Sequence, residues 1–234
     1  MRQVPHIFKK EFRTYFVSPI AYIVISIFLI VIGWFFFSTF FLFNQAGLRN
    51  FFGLLPLVFA FVIPAVTMRL FSEEFHVGSY EILLTMPVTF REVVLGKFLA
   101  SVAFVAAMLV PTLAYPVTVS FLGDLDWGPV VGGYVGALLL GASFAGVGLF
   151  ASSLTRNQIV AFIIGVAICF ALVLVDKILL FVPAPLTDVL QYIGAGYHFE
   201  NIAKGILDSR DLLYFLSLIF LSLYATHLAL EEKS

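Results

Sequence analysis

Charge is what this sequence has least of: Asp, Glu, Lys and Arg make up 12% of its 234 residues, about half the share of an ordinary soluble domain. So few charges cannot coat a soluble fold when 62% of the chain is hydrophobic and its mean hydropathy is +1.07. Disorder is excluded as well, because 28 Phe and 9 Tyr cannot stay solvated. An excess of one sign is also missing. The 13 Lys and Arg nearly balance 14 Asp and Glu, so nothing points to nucleic acid as a partner. A single cysteine, Cys169, excludes a disulfide framework and a cysteine-based zinc site. The four histidines stand apart. His198 has Glu200 nearby but no third ligand, so no metal site is expected; His198 reads as a surface residue of an outer segment and His227 as a helix-end residue. A phosphate-cradling G-x-x-x-x-G-K-[ST] loop is absent, since Gly96-Lys97 is followed by Phe98. By that device the chain cannot bind ATP, and no cofactor of its own is expected.

What is present is long apolar runs. A membrane span needs about 20 mostly apolar residues, and counting stretches between charges predicts six: roughly Pro19 to Phe43, Phe51 to Met68, from just after Lys97 to Leu122, Pro129 to Leu154, residues 157–175, and Leu212 to Leu230. The fold class is therefore an all-α polytopic membrane protein, with one transmembrane domain over 1–234. Val4, Ile7, Phe8, Phe12, Tyr15 and Phe16 recur at helical spacing among charges, which predicts an N-terminal helix lying in the headgroup layer. The run after it is too long for a signal peptide's apolar core and lacks a small-residue cleavage site, so the N-terminus is expected to be retained. Nine of the 13 basic residues fall on one side if the N-terminus is inside. That bias places both termini in the cytoplasm.

The span interiors hold almost no ionisable residues, which disfavours a transporter that moves ions by itself. Energy is then expected from a partner. The segment RLFSEEFHVGSYEILLTMPVTFREVVLGK, from Arg69 to Lys97, is where a partner could act. Ser72 is positioned to cap a short helix with Glu73 and Glu74 in its first turn, Gly78 to break it, and Ser79 to cap a second helix from Tyr80 to Met86. Acidic residues mixed with apolar ones suit a protein contact; a helix floating on the membrane is the alternative. In the fourth span Gly128, Gly132, Gly136 and Gly141 supply a small-residue face for close helix packing.

RLFSEE, GSYEILLTMPV and VLGKFLA resemble the cytoplasmic coupling segment of ABC-2 type permeases, the membrane subunits of ATP-binding-cassette exporters, and most closely the gliding-motility type. Tyr197-His198-Phe199 and the stretch from Lys204 to Ser217 extend that resemblance. It implies a bacterial inner-membrane subunit that pairs with a second permease copy, with an ABC ATPase that binds ATP and Mg docked beneath, and with a possible periplasmic auxiliary protein. The resemblance assigns docking to Glu73, Glu74, Gly78, Tyr80, Glu81 and Leu83, with Pro87 and Gly96 fixing helix ends. His76 departs from the basic residue expected at its position. By the same resemblance the segment from Ile178 to Leu207 is an outer re-entrant helical pair. A non-transporting membrane anchor that recruits a soluble partner is the competing function. An intramembrane enzyme has no nucleophile and base to rest on.

Overall fold

The computed structural model describes residues 3–43, 47–81, 88–178, 191–206 and 208–233. Among them every regular element is helical. An amphipathic helix α1 (Val4–Val17) precedes α2 (Pro19–Phe43) and α3 (Arg49–Thr67), and α4 (Arg69–Val77) prolongs α3 past Met68. Next come α5 (Phe90–Leu109), a 3-10 turn (Val110–Leu113) and α6 (Ala114–Leu122), then α7 (Trp127–Leu154), α8 (Gln158–Ile178), α9 (Ala195–Ala203) and α10 (Ser209–Glu231). Six of the helical stretches are long and apolar enough to cross a membrane.

Local chemistry fixes the helix starts. Ser18 Oγ accepts from the Ile20 amide beside Pro19, Asp126 Oδ1 from Gly128, Asn157 Oδ1 from Ile159, and Asp208 Oδ1 from Arg210, each relieving an orphan N–H of a first turn. Thr89 and Glu92 form a reciprocal capping box that starts α5. This corrects the third span: it begins at Phe90 rather than after Lys97, and Lys97 lies inside it, 2% exposed. Pro111 sits in the 3-10 turn that interrupts the span, where it could not continue α-helical bonding.

Burial orders the helices. In its most apolar stretch α7 is 78% buried, against 22% for α2 and α8 and 17% for α10. The axis of the bundle is therefore α7, and those three helices turn most of their surface away from the rest of the chain. Its glycines make this possible. A Cβ at Gly132 would collide with the carbonyl oxygen of Ile202 on α9, one at Gly136 would press on Ile202 and Phe199, and one at Gly141 would lie 2.6 Å from Val105 of α5. Gly128 meets only its own cap, Asp126, but its carbonyl carbon would lie 3.2 Å from a Cβ on Gly205, a residue held at φ +84°.

Short α9 closes the end of the bundle where α7 begins, burying Ala195, Phe199 and Ile202. Residues 179–190, with Pro183 and Pro185, lie outside the described residues, as does Leu207. His198 is not a surface residue. It is 1% exposed on α9, with Nδ1 2.6 Å from Asp211 Oδ1 on α10 and its ring stacked on Tyr214 at 4.1 Å. Nε2 lies 3.0 Å from the Tyr192 carbonyl oxygen, which can only accept, so Nε2 donates and the proton between Nδ1 and Asp211 makes the second bond.

Candidate coupling site

At the opposite end of the bundle, α4 and the residues just after it are tied to four other helices. Helix α4 forms because the helical pattern of α3 runs on without a break: Met68 keeps helical angles, and Ser72 Oγ donates to the Met68 carbonyl. Ser72 is thus a buried residue inside the helix and not the cap expected from sequence. Gly78 ends α4 at φ +76°, a left-handed conformation that glycine adopts without strain.

Lys97 provides the first tie. From α5 its ammonium reaches Glu74 Oε1 of α4 at 2.7 Å, the Leu70 carbonyl at 2.8 Å and Glu11 Oε1 of α1 at 3.1 Å. Phe71 lies beneath it, 5.2 Å from the ring centre. One buried cation thus joins three helices, and all three of its N–H donors have acceptors. Gly96, expected at a helix end, is instead buried inside α5. A Cβ there would lie 2.6 Å from Ile7, so the missing side chain admits α1 against α5.

Two further ties link the segment to the C-terminal end of α10. The Tyr80 hydroxyl donates to the Leu230 carbonyl at 3.3 Å. Burial, with a smaller push from the Glu74 carboxylate, raises that hydroxyl above the usual tyrosine range, so at neutral pH it stays a donor. Lys233 places its ammonium 4.6 Å from the centre of the Phe75 ring and donates to the Ser153 carbonyl at the end of α7 at 2.7 Å. Burial first, then the charge of Arg156, lowers the pKa of this lysine, with Glu232 opposing.

The residues singled out from sequence therefore divide. Glu74 and Tyr80 point inward and hold the segment. Glu73, paired with Arg69 at 3.3 Å, keeps 45% of its side chain exposed, while Gly78 and Glu81 are exposed. Leu83 and Pro87 lie outside the described residues. His76 and Val77 add to the exposed tip, Val77 at 71%. Sequence reasoning missed Lys97 and Glu11, although Thr89-x-x-Glu92 signalled a helix start that would have put Lys97 within the span. The described residues hold no group of acidic, histidine or cysteine side chains arranged to bind a metal.

A comparison with curated proteins gives no match. The family model described as "ABC-2 family transporter protein" matches residues 6–230. The chain therefore belongs to the ABC-2 family, whose members are the membrane components of ABC transporters and not the ATPases that drive them.

Proposed function

We propose that this chain is the permease subunit of an ATP-binding-cassette exporter, and that the exposed tip of α4, from Glu73 to Glu81, is where the ATPase docks. The observation that carries this reading is the wiring behind the tip: Lys97 joins α4 to α1 and α5, while Tyr80 and Lys233 join the same segment to α7 and α10. A push on the tip cannot be absorbed locally. It must move several spans as a unit, which is how a docked ATPase shifts a transporter between inward and outward access. Glu73, Gly78, Glu81 and Leu83 supply the contact, and Glu74 and Tyr80 brace it.

The rest of the reading follows the family resemblance. ATP and Mg belong to the ATPase, two permease copies pack together, and the membrane is the bacterial inner membrane with both termini in the cytoplasm. The gliding-motility-type system, with a periplasmic auxiliary protein, is the subfamily most similar in motif. Lys replacing both Glu73 and Glu81 tests the docking surface, since Glu81 is exposed and Glu73, 45% exposed, pairs with Arg69 one turn earlier on the same helix. The double variant is expected to lose most co-purification with its partner ATPase, and most stimulation of that ATPase's hydrolysis. Unchanged binding and stimulation would refute docking at this tip; binding without nucleotide-dependent rearrangement would favour the scaffold instead.

A further inference from the structure

Three stripes run side by side along α1, each built from residues four apart, the spacing that keeps side chains on one helix face. Ile7, Glu11 and Tyr15 turn inward: Ile7 fills the space beside Gly96, Glu11 accepts from Lys97, and the Tyr15 hydroxyl lies 3.4 Å from Ser101 Oγ. Phe8, Phe12 and Phe16 form a half-buried ladder next to them, with ring centres 5.8 and 5.0 Å apart, and Phe16 continues it to Tyr22 of α2 at 6.2 Å. Lys9, Arg13 and Val17 make the third stripe, which is exposed along its whole length.

Charge on this helix is sorted by face. Its one acid, Glu11, is 12% exposed and committed to Lys97, while Lys10, 71% exposed, stands 3.9 Å away at the edge. Lys9 and Arg13 have no ion pair or hydrogen bond among the described residues. The outer face thus presents cations and no carboxylate, which fits an anionic surface.

Position says which surface. Only Ser18 separates α1 from α2, and the first span begins at Pro19. Arg13 and Lys9 lie six and ten residues before it, about 9 and 15 Å at the rise of a helix. The interfacial layer of a bilayer is roughly 5–8 Å deep on each side, and its charge is felt about 8 Å further at physiological salt. Both cations stay within that reach even where α1 stands upright, and their stems let them lean toward it. An acidic protein would have to press against the bilayer to cover the same stripe, because the stripe ends in Val17 at the foot of the span. Phe beside Lys and Arg is also the make-up of helices that rest in the headgroup layer.

We propose that the outer face of α1 binds anionic phospholipid, with Lys9 and Arg13 on the lipid phosphates and the Phe8–Phe12–Phe16 ladder at headgroup depth. Glu11, on the opposite face, is a Lys97 partner, so lipid that holds α1 also steadies the group joining α1, α4 and α5. The inference requires the membrane placement of the chain and is independent of ATPase docking.

The test labels Val17→Cys with a fluorophore in a Cys169→Ala background of the full chain, reconstituted in vesicles of phosphatidylcholine and phosphatidylglycerol. Either lipid carries brominated, quenching acyl chains in turn, at equal mole fraction. Phosphatidylglycerol is expected to associate at this position about fivefold more strongly than phosphatidylcholine, the factor that one cation near a charged surface supplies. Lys9→Gln with Arg13→Gln should bring that ratio to about one, and so should about 1 M salt, where charges are screened beyond roughly 3 Å. The same label at Ile206→Cys, at the opposite end of the bundle, should show no change with the double variant. Equal quenching by the two lipids, or a ratio that the double variant and salt leave unchanged, would overturn the proposal. Loss of ATPase co-purification in the double variant with an unchanged lipid ratio would overturn it in favour of a protein partner. The salt titration on intact Lys9 and Arg13 keeps it falsifiable even where the double variant fails to fold.

Discussion

Replacing Lys97 with methionine is expected to cost about 3–5 kcal/mol of folding stability, because it removes one partner from a buried ionic group. The lysine side chain is 2% exposed, and Glu11 and Glu74, at 12% and 19%, would be left facing each other with their cation gone. Methionine keeps the length and the contact with Phe71, so the loss reports the charge and not a cavity. Neutralising the whole group, with Glu11→Gln and Glu74→Gln added, should recover all but about 1 kcal/mol. Thermal unfolding in detergent separates the two variants. The triple variant also divides stability from function: it should fold yet stimulate the ATPase poorly, because neutral side chains hold α4 to α1 and α5 more loosely. A single variant as stable as the parent would show that Lys97 is solvated in the membrane-bound protein.

The second large effect is expected at the far end. His198→Ala should destabilise the protein by about 3 kcal/mol or more, since it strands Asp211 at 4% exposure, with Oδ2 already lacking a partner among the described residues. The loss should be visible in the same melting experiment. A double variant, His198→Phe with Asp211→Leu, removes donor and acceptor together and keeps a ring against Tyr214, so it should regain more than half of that loss. A single variant within about 0.5 kcal/mol of the parent would place the pair in water, as an ordinary surface contact.

These two sites mark where the sequence was hard to read. Charge-free runs located all six spans, and the bounds of the first, Pro19 to Phe43, coincide with α2, because a charge that stays solvated must sit outside the hydrocarbon. The same rule misplaced the third span. Lys97 escapes it by finding carboxylates on helices 86 and 23 residues away in the chain, a pairing no local window contains. His198 was misread for a like reason: its partner Asp211 lies beyond the turn, at the first turn of α10. Gly96 shows the limit from the other side. The family resemblance put a helix end at this glycine, yet the close approach of Ile7 is what it accommodates. The glycine face of α7 was legible from spacing, while the neighbours its members admit were not. In the coupling segment the break at Gly78 could be read directly. The inward turn of Glu74 and Tyr80 could not, since it depends on where α1, α5 and α10 come to rest.

The central claim is that the power of a separate ATPase enters through the tip of α4, and a cross-linking measurement tests it most directly. Cys169 is the chain's lone cysteine and is buried, so a Cys169→Ala background leaves no competing thiol. In that background Val77→Cys, at the exposed tip, and Ile206→Cys, 62% exposed at the opposite end, are each challenged with a thiol cross-linker in the assembled complex, with and without ATP. Position 77 should join the ATPase with a yield that changes on adding nucleotide, and position 206 should not join it. No cross-link from position 77 under either condition, or an equal yield from both positions, would contradict the assignment.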